Sequence, residues 1–489
     1  MKYKKILCAL CGICLIISMA GCGVSKNKEP IQLTLWHVYG EQVASPINEL
    51  IDEFNSTVGQ KEGIQITVTS VSNSNKIHEG VLAAVNREPG APELPDIFNC
   101  YPKTVSAMHD SDMLVDYRDY FNDEELKGYI KEFLNEGTFD ERLLIFPVAK
   151  STELLFINKT LFDRFAKETG AKLDDLATWE GLYRTASLYS EWTDSLTPDV
   201  PNDGKAFLAN DYPFHYFQVG VRSLGEEFFS DDKFSFCQSY KTAWNLLAPA
   251  AIKGGVWLGE GYATEALRTG DAIATIASSA SVLYYENIVT YEDNTSEEIE
   301  IISLPYPSFE NGKKTVMQRG SGFCTVKSTP EREKAACTFI KWLTAPEQNT
   351  KFVTSLGYVP VCYEAYDKYL IKETEQIEDP KYKDLYKTIQ DINPDYEFVY
   401  PPRFDSYLDS ETAFTVTVRR LLSDARQEYI DIVDAGGNPD SAVYDISGKY
   451  FEKLKSRQIC IAENKNVSLG VAASELKNML LDYSHSFGN

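Results

Sequence analysis

Ile31-Gln-Leu-Thr-Leu-Trp36 opens the stretch of sequence that decides the fold. It alternates apolar and polar residues, which is the period of a β-strand, and Ile64-Gln-Ile-Thr-Val68 repeats the pattern. Apolar residues with helical spacing occupy residues 47–54 and 78–85, and Asp96-Ile-Phe98 predicts a third short strand. Strands that alternate with helices at this spacing indicate parallel α/β units.

The pattern continues outward from this first unit. Leu154-Leu-Phe-Ile-Asn158 is an apolar run of the kind that forms a buried strand, and Thr178 precedes a helix. Ser328 and Glu331 have the spacing of a capping box, which predicts a helix that begins there. Further strands are predicted at residues 272–276, 298–304 and 322–326, and long helices at residues 411–433 and 469–483.

Length and charge restrict the class of protein. The chain has 489 residues, enough for two or more domains, and 43% of them are hydrophobic, as in a soluble globular protein. Its formal net charge is −24. Such a charge repels nucleic acid and anionic membrane surfaces, so we expect no nucleic-acid partner.

The N-terminus predicts export and a lipid anchor. Lys2, Lys4 and Lys5 precede a short apolar run that ends at Ala20-Gly21, directly before Cys22. A basic start, a brief apolar segment and small residues are the parts of a secretory signal, assigned to residues 1–21. Cys22 in this position resembles the lipobox of bacterial lipoproteins, whose cysteine is lipidated. The alternative is an ordinary secretory signal beside an unrelated cysteine.

The mature chain that this processing predicts begins with a polar tether, residues 22–30. The cut removes three lysines and no acid, which lowers the formal charge to −27. Six cysteines follow Cys22 without CxxC spacing, so no disulfide framework is indicated, although one or two disulfides are compatible with export.

Catalytic and cofactor motifs are not found in the sequence. Its five histidines form no HExxH or other paired set, which predicts no metal site. There is no GxSxG, Walker or GxGxxG motif, and we expect no cofactor. Sequence cannot show whether two carboxylates have the separation of a glycosidase pair, so a secreted carbohydrate-active enzyme stays an alternative. Without a catalytic motif, a binding function is favoured.

Small hydroxyl residues cluster at three places. Ser151-Thr152, Ser278-Ser279 and Gly320-Ser321-Gly322 let main chain and hydroxyl groups come close to a polar ligand. Loops and helix caps are the competing interpretation of each cluster. Aromatic residues make up 12% of the chain, with 29 tyrosines, and Tyr212 and Trp257 are candidates for stacking on a sugar ring.

An ordered set of motifs resembles the bacterial extracellular solute-binding proteins of family 1, which feed carbohydrate importers of the ATP-binding-cassette (ABC) type. Leu33-Thr-Leu-Trp-His37 and Leu94-Pro-Asp-Ile-Phe98 are similar to the first and third strands of that family. The similarity continues in residues 147–159, 269–279, 304–307, 339–344 and 357–361, and so runs through most of the chain.

The resemblance implies a periplasmic-binding-protein-like fold of type II, with two α/β lobes around a ligand cleft and hinge crossings between them. Lobe I is expected to comprise residues 31–152 and 319–360, and lobe II residues 153–318 and 361–489. The crossings are expected near residues 151–155, 317–320 and 358–361.

The resemblance also implies site residues. A glycerol-3-phosphate-binding branch of the family has matching motifs, and its ligand positions carry over to this sequence, with Thr152 and Ser321 added from the hydroxyl clusters. A glutamate of that branch is replaced by Pro102, which leaves an oligosaccharide and a glycerol phosphate both open. The predicted ligand-binding residues are Tyr101, Ser151, Thr152, Ser278, Ser279, Gly320, Ser321, Tyr358 and Arg403.

Together these features predict a monomeric receptor at the extracellular face of the cytoplasmic membrane. It is expected to capture a sugar or sugar phosphate and to deliver it to the permease subunits of an ABC importer, without catalysis. A receptor for another solute, such as a peptide, is a second alternative.

Overall fold

The structure is a computed structural model that describes residues 29–39, 45–71, 73–230, 233–392, 395–404 and 407–463. The predicted signal peptide, the lipidation site Cys22 and the helix predicted at residues 469–483 lie outside these residues, as does most of the tether.

The strands are numbered in chain order. They are β1 (Ile31–His37), β2 (Ile64–Ser70), β3 (Ile97–Cys100), β4 (Thr138–Phe139), β5 (Arg142–Leu143), β6 (Phe146–Pro147), β7 (Ser151–Asn158), β8 (Leu208–Asn210), β9 (Phe229–Ser230), β10 (Lys233–Phe234), β11 (Ala274–Ser278), β12 (Ile288–Thr290), β13 (Ser296–Glu298), β14 (Ile301–Leu304), β15 (Thr315–Arg319), β16 (Gly322–Thr325) and β17 (Glu397–Val399).

The α-helices are numbered in the same way. They are α1 (Pro46–Ser56), α2 (Val58–Glu62), α3 (Ser74–Val85), α4 (Pro102–Ala107), α5 (Asp123–Lys127), α6 (Lys131–Gly137), α7 (Lys159–Thr169), α8 (Trp179–Ser195), α9 (Pro213–Ser223), α10 (Gln238–Ile252), α11 (Ala263–Thr269), α12 (Pro330–Leu343), α13 (Pro346–Thr354), α14 (Ile371–Gln376), α15 (Pro380–Ile392), α16 (Tyr407–Asp434) and α17 (Pro439–Glu463). Short 3₁₀ or π turns occupy Ser111–Met113, Tyr117–Asp119, Leu173–Ala177, Ser279–Tyr284 and Ala365–Leu370.

Lobe I contains the first sheet, with strand order β2-β1-β3-β16-β6. β1 is parallel to β2 and β3, as the sequence pattern predicted, and β16 is antiparallel to both of its neighbours. Leu33 and Leu35 point into the core, and the alternating polar residues Gln32 and Thr34 are exposed. The alternation in the sequence therefore decides which face of β1 is buried.

Lobe II contains the second sheet, with strand order β17-β15-β7-β11-β8, and β14 pairs with the later part of β7. Every residue of β7 is buried, and burial on both faces explains the continuous apolar run Leu154–Ile157 at its centre. Helices pack around this sheet and form one large core that includes Trp179, Tyr216 and Trp244. The predicted α/β fold with two lobes is thus confirmed.

Three stretches of chain pass between the sheets. The first, residues 148–150, joins β6 to β7, and the second, residues 320–321, joins β15 to β16. The third follows α13, where Val359 forms an isolated bridge with Lys150. The residue-level lobe boundaries given above stay a prediction.

Two local details concern the start of α12 and the state of the cysteines. Thr329, rather than Ser328, caps α12 by accepting a hydrogen bond from the Arg332 N–H, so the predicted capping box is wrong by one residue. The cysteines among the described residues whose pairing the structure gives are free thiols: Cys100, Cys237, Cys324, Cys337 and Cys362.

Candidate functional site

The first two passages between the lobes touch through their main chains at Gly320. Its φ of +84° is in the left-handed region, which favours glycine. A Cβ at this position would lie 2.9 Å from the Ala149 oxygen, the Lys150 Cα and the Ser151 nitrogen. Glycine is therefore required both by the backbone conformation and by the close approach of the neighbouring strand.

A buried ion pair connects all three passages. Lys150 Nζ contacts the Glu136 carboxylate, and the two side chains are only 3% and 9% exposed. Lys150 also donates to the Gly320 carbonyl at 2.9 Å, and Gln318 Nε2 donates to Glu136 Oε2 at 2.8 Å. The main-chain oxygen of Lys150 accepts from the Val359 N–H of the third passage. Lys150, which lies in the first passage, is therefore bonded to both of the others.

Lobe I contributes a polar and aromatic wall at the ends of β1 and β3. The Ser321 hydroxyl lies 2.7 Å from Asn99 Nδ2 and 3.2 Å from the Tyr39 hydroxyl. The half-buried Tyr358 packs edge-on against Tyr39, with ring centroids 5.6 Å apart. Tyr101, which follows β3, lies near Ser321, and burial raises the pKa of its phenol. Tyr101, Ser321 and Tyr358 are thus brought together.

Lobe II contributes a chain of charged side chains, which we call the relay: Arg319, Glu153, His215 and Glu411. His215 lies between two carboxylates, with Nδ1 2.5 Å from Glu153 Oε1 and Nε2 3.1 Å from Glu411 Oε1. Arg319 Nη1 lies 3.4 Å from the same Glu153 oxygen and 3.2 Å from His215 Nδ1. The guanidinium carbon of Arg319 is 3.9 Å from the centroid of the Tyr212 ring, a cation–π contact.

The relay changes the proton affinities of its members. Burial alone would lower the pKa of His215, but the Glu153 and Glu411 carboxylates outweigh burial and raise it. Burial opposes ionisation of Glu411, yet the hydrogen bond and charge of His215 lower its pKa. The two carboxylates therefore favour the protonated form of the histidine, in which both ring nitrogens donate.

Two further charged groups stand at the edge of the relay. Burial lowers the pKa of Lys103, in lobe I, although the Glu411 carboxylate of lobe II acts in the opposite direction. Burial raises the pKa of Asp211 to about 6, against a 2.6 Å hydrogen bond from the Ala263 N–H. Lys103 of lobe I is therefore close enough to Glu411 of lobe II for their charges to interact.

The serines and threonine predicted as ligand contacts lie at the same junction but are largely enclosed. Ser151 and Thr152 are buried at the start of β7, where they pair with Arg319 and Gln318. The half-buried Ser278 caps the following turn by accepting from the Ala280 N–H. Ser279 is fully buried, and its hydroxyl has no partner among the described residues.

The predicted ligand contact Arg403 is placed elsewhere. Its guanidinium donates to the main-chain oxygens of Asn135, Glu136 and Thr138 at the end of α6. Its carbon also lies 4.0 Å from the Phe139 ring centroid. Arg403 therefore caps a helix C-terminus, where a cation is favourable, and the cationic position beside Glu153 is filled by Arg319 instead.

Sequence reasoning missed Arg319, Glu153, His215 and Glu411. One signal was available, because Glu153 directly precedes an apolar run and a carboxylate in a buried strand needs a partner. The partner itself could not be inferred, since His215 and Arg319 are 62 and 166 residues away along the chain.

Substitution of His215 by glutamine is expected to destabilise the protein more at pH 6 than at pH 9, by about 2 kcal/mol at the lower value. A raised folded-state pKa stabilises the fold below the ordinary value of 6.5, and this contribution is lost as pH rises through the folded-state pKa. Urea unfolding at both pH values measures the difference. The exposed His109, replaced in the same way, is the control. An effect of H215Q that is equal at the two pH values would contradict the interpretation.

Two further properties concern the residues that the structure describes. No helix among them is long and apolar enough to cross a membrane. The same residues contain no group of three or more histidine, cysteine, aspartate or glutamate side chains placed to hold a metal ion.

Comparisons with known proteins show which family the chain is similar to. Residues 49–383 match the family model described as bacterial extracellular solute-binding protein. An arabinooligosaccharide-binding protein of Halalkalibacterium halodurans is 21% identical over 308 residues, which are 61% of this chain. The match spans 65% of the length of that relative, slightly less than two thirds.

Solved structures are similar in fold. The cyclic alpha-maltosyl-1,6-maltose binding protein of Arthrobacter globiformis aligns with a TM-score of 0.62 and 17% identity, over 87% of this chain and 99% of that one. UgpB of Mycobacterium tuberculosis, in complex with glycerophosphocholine, gives a TM-score of 0.58 and 18% identity, over 88% and 100% of the two chains. At these identities the likeness shows the fold.

Proposed function

The chain belongs to the bacterial extracellular solute-binding proteins, and from this premise we propose that it captures an uncharged oligosaccharide between its lobes for an ABC importer. The lobes would close on the sugar by hinge motion, and the closed form would be favoured only by the contacts that it gains. A micromolar Kd, about −8 kcal/mol, suits a receptor that must also release its ligand.

The observation that carries the proposal is the convergence of two walls on the three passages. Tyr101, Ser321 and Tyr358 come from lobe I and the passages, and Arg319 and Tyr212 stand opposite in lobe II. Aromatic faces together with hydroxyl and guanidinium donors are the groups that bind sugar rings and their hydroxyls. The sugar named for the H. halodurans relative supports the same class of ligand.

The charges of the cleft favour a neutral sugar over a phosphate ester. A phosphate dianion needs a cation that is not already neutralised, because burial of an unpaired charge is costly. Two cations at this junction are neutralised by carboxylates, Arg319 by Glu153 and Lys150 by Glu136. The others among the described residues keep their charge and donate to neutral oxygens: Lys103 to the Asn75 amide, Arg419 to the Asn210 carbonyl and Arg403 to three main-chain oxygens.

Delivery and anchoring complete the proposal. Cys22 would carry the lipid, and the polar tether would hold a monomeric receptor beside its permease at the extracellular face of the cytoplasmic membrane. Two acyl chains give stable attachment where one gives only reversible binding. Attachment raises the local concentration of receptor near the transporter. The protein would perform no catalysis.

A thermal-shift panel tests the ligand class. We expect maltotriose, arabinotriose or xylotriose to stabilise the protein, and glycerol 3-phosphate, glycerophosphocholine, amino acids and tripeptides to have no effect. A ligand at 100 times its Kd adds about 2.7 kcal/mol to the unfolding free energy. A shift with a phosphate ester alone would overturn the neutral-sugar proposal. Hydrolysis of a trisaccharide by the purified protein would favour the enzyme alternative.

Replacement of Tyr358 by alanine is expected to weaken binding of the stabilising trisaccharide about 10-fold, or roughly 1.4 kcal/mol, without unfolding the protein. The half-buried ring packs on Tyr39 at the junction and offers its remaining surface to a sugar. Titration calorimetry measures the affinity. The matched control is Tyr444→Ala, because Tyr444 is 70% exposed on α17. Equal affinity of Y358A and wild type would remove Tyr358 from the site.

A further inference from the structure

We propose that Arg319 is the specificity-determining residue that fixes the saccharide in the cleft, and that Glu153 and His215 act through it as positioning residues. The inference deepens the proposed function and rests on it. It concerns side chains that the resemblance to the family did not single out.

The guanidinium group of Arg319 is held by contacts on two sides and can bind a ligand on a third. Tyr212 lies against one face of the guanidinium, and Nη1 is the atom that reaches Glu153 and His215. Within the described residues, Arg319 contacts Glu153 and His215 through Nη1, which leaves Nη2 and Nε for a ligand. The side chain is 29% exposed and lies next to the passage at Gly320, where the lobes meet.

Glu153 is the buried anchor of this arrangement. It is completely inaccessible to solvent, and its Oε2 has no hydrogen-bond partner among the described residues. A carboxylate in this position is costly to bury unless its charge is compensated. The compensation comes from His215 and Arg319, and the same contacts restrict where the guanidinium can lie.

His215 links the anchor to the rest of lobe II. The groups that face it are Glu153 of β7, Arg319 of β15, Glu411 of α16 and the stacked Tyr212 that precedes α9. The next charged and titratable groups are Asp211, Lys103 and Tyr407. The protonated ring donates to both carboxylates, whereas the neutral ring has one N–H and must leave one carboxylate without a donor.

Loss of the His215 proton would therefore change the hydrogen-bond partner of Arg319. An unprotonated Nδ1 accepts the hydrogen bond from Arg319 Nη1, 3.2 Å away, in place of Glu153. A guanidinium neutralised by Glu153 donates to sugar hydroxyl and ring oxygens without attracting an anion. Arg319 would thus favour a neutral polyol, and capture would weaken as pH rises.

The first experiment replaces Arg319 by lysine, which keeps the charge but loses the planar fork and the stacking on Tyr212. Maltotriose and arabinotriose are the probes, and calorimetry at pH 6 measures their affinity. We expect 10- to 100-fold weaker binding with an unchanged denaturation midpoint. The matched control, Arg403→Lys, should leave affinity unchanged. Unaltered binding by R319K would overturn the proposal.

The second experiment needs no sugar, so it stays decisive if the trisaccharide panel fails and the proposed function falls. The ¹⁵N NMR signals of the arginine guanidinium groups are recorded for ligand-free wild type and His215→Gln, with Arg319 assigned through R319K. We expect the Arg319 guanidinium signals of wild type to change between pH 6 and pH 9, and those of H215Q to differ from wild type at pH 6 and to stay the same at both values. Identical Arg319 signals in the two proteins would overturn the positioning role.

For a trisaccharide that binds, the pH dependence of its affinity separates a positioning role of His215 from a merely structural one. We expect the affinity of wild type to fall at least 5-fold from pH 6 to pH 9. The affinity of H215Q should be weak at both values. A parallel decline in the two proteins would contradict the role of His215.

Discussion

Replacement of Lys150 by methionine is expected to lower the free energy of unfolding by about 3–5 kcal/mol. The variant keeps the length of the side chain but leaves the Glu136 carboxylate buried without its cation. It also removes the hydrogen bond that Lys150 donates to the Gly320 carbonyl. Guanidinium chloride unfolding of the purified protein measures the loss.

A second substitution shows whether the buried charge is the cause. In Lys150→Met/Glu136→Gln the uncompensated carboxylate is gone, so we expect at least half of the lost stability to return. The surface control is Lys351→Met, because Lys351 and Glu347 form an exposed i,i+4 pair worth less than about 0.5 kcal/mol. A Lys150 variant as stable as the Lys351 variant would show that the ion pair does not hold the passages together.

Substitution of Gly320 by alanine is expected to cost about 2–4 kcal/mol, the sum of backbone strain and overpacking. A Cβ would be forced against main-chain atoms of the first passage at 2.9 Å, and main chain cannot move aside as a flexible side chain can. The two passages would be pushed apart where Arg319 and Ser321 are held. We therefore expect saccharide affinity to fall as well as stability, measured by unfolding and by calorimetry.

The variant Gly63→Ala separates the cost of backbone strain from the cost of overpacking. Gly63 also has a positive φ, +68°, but no atom lies within 4 Å of its would-be Cβ. It should show backbone strain alone, about 1 kcal/mol, and unchanged affinity. If G320A loses no more stability than G63A, the close approach of the passages is not a constraint on this position.

The elements of the fold were predictable where their cause is local. The alternation in residues 31–36 is enough to predict a strand and its buried face, and β1 extends that prediction by one residue only. The continuous apolar run after Glu153 predicted the buried strand β7 in the same way. The helix start after Ser328 was predicted, yet the capping residue is Thr329, because two adjacent hydroxyl residues compete and only the backbone geometry selects one.

The candidate site was predictable in part. Tyr101 and Tyr358, taken from the resemblance, and Ser321, taken from a hydroxyl cluster, lie together at the junction of the lobes, and their contact with a ligand stays a prediction. Arg403, taken from the same resemblance, caps α6 and contacts Thr138, 265 residues away along the chain. No local pattern distinguishes an arginine that caps a helix from one that faces a cleft.

The sequence alone determined the class of fold, the acidic character and the predicted export signal, because periodicity, composition and a signal-like terminus are local properties of the chain. Only the tertiary structure decided which charges meet. Arg319, Glu153, His215 and Glu411 come from two strands and two helices that are far apart in sequence. Burial makes their pairing obligatory, and burial of this kind exists only after the lobe has folded.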